Sequence, residues 1–72
     1  MSAFEAVSAL KAEGNGFFAS KDWASALTKY SDALAAIAEN DLSITAPDVQ
    51  ALYISLLSNR AACHLQLSNH DD

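Results

Sequence analysis

Between Trp23 and Ile37 the apolar residues Trp23, Ala26, Leu27, Tyr30, Ala33, Leu34 and Ile37 follow one another at steps of three, one, three, three, one and three. An α-helix, at 3.6 residues per turn, gathers that set on one face, whereas a strand would scatter it over two. Small and large side chains alternate along the face, which suits interlocking with a second helix. Ser25, Lys29 and Asp32 fall on the other side. Asp22, just before this stretch, offers a side-chain acceptor to the first unpaired N–H groups. The pattern fades at Glu39–Asn40.

A similar stripe precedes it. Ser2 and Glu5 have the spacing of a capping box. Phe4, Val7, Leu10, Phe17 and Phe18 then recur helically, with small Ala3, Ala6 and Gly14 between them, as far as Ser20–Lys21. The turn to Asp22 is so short that the two helices must form an antiparallel hairpin. The stretch NDLSITAP, residues 40 to 47, interrupts the pattern. Pro47 suits the first turn of a third helix, with Thr45 or Ala46 as its cap. From Asp48 to about Leu67, Val49, Leu52, Tyr53, Leu56, Leu57, Ala61, His64 and Leu65 are expected on one broad face. The fold class is therefore all-α, with residues 1–40 as a hairpin, 41–48 as a linker and 49–72 as a third helix.

Charge narrows the functional classes. The net charge is −5 with four Lys or Arg residues among 72, too few cations to neutralise a nucleic-acid backbone or to form a basic membrane-surface helix. A single cysteine permits no intrachain disulfide and fits a reducing compartment. MSAFEAVSAL has neither a basic leader nor an unbroken apolar run, so no signal peptide or membrane span is expected and a cytoplasmic location is the expectation.

LKAEGNGFF, residues 10 to 18, places Gly14 and Gly16 inside the first helix, where each costs about 1 kcal/mol relative to Ala. With Leu10, Gly14, Phe17, Phe18, Asp22, Trp23, Ala26, Tyr30, Ala33 and Leu34, the hairpin resembles one tetratricopeptide repeat (TPR), a unit of about 34 residues. The resemblance makes Gly14 a close-packing position, with Gly14 and Ala26 letting the backbones approach; Gly16 is left unexplained. SNRAACHLQL, residues 58 to 67, is similar to the opening helix of a second repeat in the chaperone-binding branch of this family. Gly14 and Ala61 then correspond, 47 residues apart, about 13 more than the usual period of about 34. The excess is assigned to the linker and flanking helical turns. The implied architecture is about one and a half repeats of a right-handed α-solenoid.

In members that this chain resembles, LK-x-x-GN and the Asn of SNRA form a carboxylate clamp. The resemblance thus implies that Lys11, Asn15 and Asn59 bind the acidic C-terminal Glu-Glu-Val-Asp peptide of chaperones of the heat-shock protein 90 or heat-shock protein 70 type. The chemistry is apt: terminal and side-chain carboxylates need several convergent donors, and ammonium and carboxamide groups supply them without negative charge. Arg60 and Phe18 are secondary candidates. Two further cations of the family's clamp come from a third repeat; without them binding is expected to weaken by about two to four orders of magnitude. The alternative is a TPR scaffold, or a self-associating helical piece whose uncovered faces pair copies, with no chaperone binding.

Catalysis is not indicated. Cys63 and His64 are adjacent, so they point about 100° apart on a helix and make no nucleophile–base pair; both are expected beside the core. His70, Asp71 and Asp72 read as a solvated tail rather than as metal ligands. Phe17, Phe18, Trp23 and Tyr30 read as core rather than as a base-stacking platform. GNG lies within a helix and follows no strand, unlike a phosphate loop. No enzyme activity, metal or cofactor is expected.

Overall fold

The computed structural model describes residues 2–69. Among them are three helices and no strand: α1 (Ala3–Ala19), α2 (Trp23–Glu39) and α3 (Pro47–Asn69). His70, Asp71 and Asp72, considered above as a tail, lie outside the described residues.

The helix starts follow local chemistry. The Ser2 hydroxyl accepts from Glu5 N–H at 3.1 Å and the Glu5 carboxylate accepts from Ser2 N–H at 3.0 Å, completing the capping box. These bonds hold the exposed Glu5 carboxyl below its ordinary value, the Ser2 backbone bond contributing most. Asp22 caps α2 through Ser25 N–H at 3.3 Å. At α3, Ala46 rather than Thr45 accepts the first helical bond, from Gln50 N–H at 2.8 Å, and Pro47 takes the first helical position, where its missing N–H is no loss.

The exits of α1 and α2 share a second device. After each, one residue turns left-handed: Lys21 (φ 64°) and Asp41 (φ 52°). Lys21 and Asp22 donate back to Phe18 and Phe17, and Asp41 and Leu42 donate back to Ala38 and Ile37. This is the paired bonding of a Schellman motif, usually built on glycine.

Contacts at Phe18–Trp23, Glu13–Lys29 and Asn15–Tyr30 show α1 and α2 antiparallel, as expected of the short turn. α2 is central: it packs extensively on both neighbours, while α1 and α3 meet at few points. The core comprises Val7, Ala26, Tyr30, Ala33, Ile37, Val49, Leu52, Leu56 and Cys63. Burying side chains such as Val7 and Leu56 completely contributes about 1.5–3 kcal/mol each.

Gly14 is a close-packing position, as expected: it is buried, and a Cβ there would lie 2.6 Å from Tyr30 Cε1 and 2.8 Å from Cδ1, so the buried ring demands the glycine. Two expectations need correction. On α3, Val49, Leu52, Leu56 and Cys63 face the core, whereas Leu57, Ala61, His64 and Leu65 are exposed. Apolar and polar residues are both spread around α3, so periodicity could not choose between its faces. Finally, Cys63 lies within the core rather than beside it. α3 has 23 residues against 17 in α1.

Gly16, by contrast, faces open space: a Cβ at that position would have nothing within 4 Å. Gly16→Ala should therefore stabilise the chain by up to about 1 kcal/mol. Gly14→Ala should lower the melting temperature, because overpacking costs about 1–3 kcal/mol and outweighs the same helical gain. Thermal unfolding followed by circular dichroism of both variants checks the pair.

Candidate functional site

Asn15 on α1 and Asn59 on α3 are 44 residues apart in sequence, yet Asn59 Nδ2 donates to Asn15 Oδ1 at 3.3 Å. Between them rises the hydroxyl of Tyr30 from α2. It donates to Asn15 Oδ1 at 2.6 Å and accepts from Asn59 Nδ2 at 3.5 Å. The Tyr30 residue is 0% exposed overall, Asn59 is half-buried and Asn15 is exposed. Each of the three helices thus contributes one polar group to a single cluster, open to solvent on the Asn15 side.

Lys11 lies one turn before Asn15, on the same face of α1. It is half-buried. Among the described residues the one ion pair joins Lys29, about a third exposed, to the more exposed Glu13 at 3.3 Å, and a pair so open to solvent is worth less than about 1 kcal/mol. Lys11 takes no part in it. Phe18 stacks edge-on against Trp23, with ring centroids 4.9 Å apart and planes at 80°. Arg60 points elsewhere: with Leu34, Ile37, Asp41, Tyr53 and Leu57 it lines an open groove of about 480 Å³ between α2 and α3. It makes no ion pair among the described residues.

The sequence placed Tyr30 in the core and missed its hydroxyl. The available signal was the choice of Tyr over Phe on a stripe expected to be fully buried, since a buried phenol requires a hydrogen-bond partner. Burial pushes the Tyr30 hydroxyl above its ordinary value, the neighbouring Cys63 adds to this, and the Asn59 hydrogen bond opposes it. The phenol therefore keeps its proton throughout the neutral range.

The cluster holds donors and neutral acceptors and no acidic group. It has no nucleophile and base in contact, and no three His, Cys, Asp or Glu side chains among the described residues gather as metal ligands. No described helix is long and apolar enough to cross a membrane. No family model, curated protein or solved structure matches the chain significantly.

Burial also raises the Cys63 thiol above its ordinary value, and only the thiolate reacts with alkylating reagents. Native chain should resist iodoacetamide at neutral pH and react readily once unfolded by denaturant. Mass spectrometry of timed samples checks this.

Proposed function

We propose that the chain is a protein-interaction module of TPR type that receives the acidic C-terminal end of a partner polypeptide at Lys11, Asn15 and Asn59. The partners implied are the Glu-Glu-Val-Asp tails of heat-shock protein 90 or heat-shock protein 70 type chaperones. The observation that carries this reading is the meeting of Asn15 and Asn59 across α1 and α3. These are two of the three residues selected from LK-x-x-GN and SNRA, and the third, Lys11, is one helical turn from Asn15. An ammonium with two carboxamides matches a carboxylate pair in charge and in donor number.

Affinity of this chain alone is expected to be weak, because charge-assisted hydrogen bonds are worth about 1.5–3 kcal/mol each and three donor side chains supply few of them. Titration of labelled chain with an acidic-ended peptide, followed by nuclear magnetic resonance, should shift Lys11, Asn15 and Asn59 at millimolar concentrations. Lys11→Ala should weaken binding by roughly tenfold or more. Submicromolar binding, or binding unchanged in Lys11→Ala, would count against the clamp.

A second reading has its own observation. α3 exposes Ile54 (56%) and Leu65 (61%) on the side opposite its buried Leu56 and Cys63, and only Asp48 and Arg60 on this helix carry a full charge. Such a face favours self-association. Light scattering should then give a mass above 7.6 kDa that falls to the monomer value in Leu65→Asp; a wild-type monomer at high concentration would remove this reading.

A further inference from the structure

The hydrogen bonds at the three-helix junction are unevenly distributed over the Asn15 carboxamide. Its Oδ1 receives the Tyr30 hydroxyl at 2.6 Å and Asn59 Nδ2 at 3.3 Å, which occupies both lone pairs from inside the protein. Its Nδ2, among the described residues, donates to nothing. Turning this amide over alone would set its NH2 against the NH2 of Asn59 and leave the phenol without its acceptor, and turning both amides over would put an N–H···O bond at 2.6 Å, a length that suits O–H···O instead. The junction therefore selects one of the two amide orientations, and the one selected turns donors outward.

We infer that Tyr30 is a positioning residue: its hydroxyl locks Asn15 with the carbonyl inward and the NH2 toward solvent, so that Asn15, one helical turn from Lys11, presents donors only. This rests on the proposed reading of Lys11, Asn15 and Asn59 as a peptide site, and it adds a residue that never touches the peptide. A donor-only edge discriminates between ligands. It accepts a carboxylate, whose oxygens are acceptors throughout, and penalises an amide, which must bring an NH2 against other donors. Without the phenol the Asn15 carboxamide is free to turn and meet either group.

The ring of Tyr30 stays buried against Gly14 in Tyr30→Phe, so that variant removes the hydroxyl with little change in shape. The test uses the whole chain, an acidic-ended peptide with a free C-terminus and the same peptide amidated at its C-terminus. For wild type the free acid should bind at least about tenfold better than the amide. In Tyr30→Phe that ratio should fall at least about threefold, and the side-chain carbonyl carbon resonance of Asn15 should move upfield on losing its strongest donor. An unchanged ratio with an unchanged resonance overturns the proposal.

A second variant guards against a loss of folding. Asn15→Asp keeps two acceptors for Tyr30 and Asn59 but presents no NH2, so it should retain helical circular dichroism while losing peptide binding at least about tenfold. Binding retained in Asn15→Asp also overturns the proposal. If neither peptide binds wild type while the Asn15 resonance still moves in Tyr30→Phe, the peptide reading fails and the orienting role of Tyr30 stands.

Discussion

The Tyr30 ring, fully buried on α2, occupies the space that any side chain larger than hydrogen at position 14 of α1 would need. At its far end the hydroxyl ties a carboxamide from α1 to one from α3. Apolar packing alone would leave α1 and α3 poorly registered, because they meet directly at few points. Packing is also tolerant of sliding, whereas a hydrogen bond at 2.6 Å is not. The junction therefore adds one polar tie among all three helices to the apolar packing.

The hairpin was legible from local patterns. Ser2, Glu5, Asp22 and Pro47 mark helix starts by mechanisms that act within four residues, and each operates as expected. The close-packing role of Gly14 came from the resemblance and not from the stripe on α2, which could not show that the Tyr30 ring would lie against position 14. α3 was harder. Its apolar and polar residues are both spread around the helix, so the pattern held no preference between the side of Leu56 and Cys63 and the side of Leu57, Ala61 and Leu65. That choice is made by α2, and a tertiary choice leaves no trace in periodicity.

The candidate site was legible to a different degree. Nothing in composition pairs Asn15 with Asn59 across 44 residues; only the two short motifs did so, through resemblance. Arg60, adjacent to Asn59, shows the limit of that approach, since one step along a helix turns a side chain by about 100° and sends it into another groove. On the proposed reading the chain's charge matters as well. A molecule of net charge −5 repels an acidic peptide at long range, so capture depends on short-range donors. Added salt would relax the repulsion over distances beyond about 10 Å while leaving close contacts largely intact.

The two left-handed exits have unequal mechanical consequences. Lys21 sets a cation beside the negative end of the α1 dipole, which reinforces that corner. Glu39 and Asp41 set anions beside the negative end of α2, whose last turn carries no basic residue. This second corner leads into a longer loop. α3 also packs less extensively on α2 than α1 does, which makes it the least firmly held of the three helices.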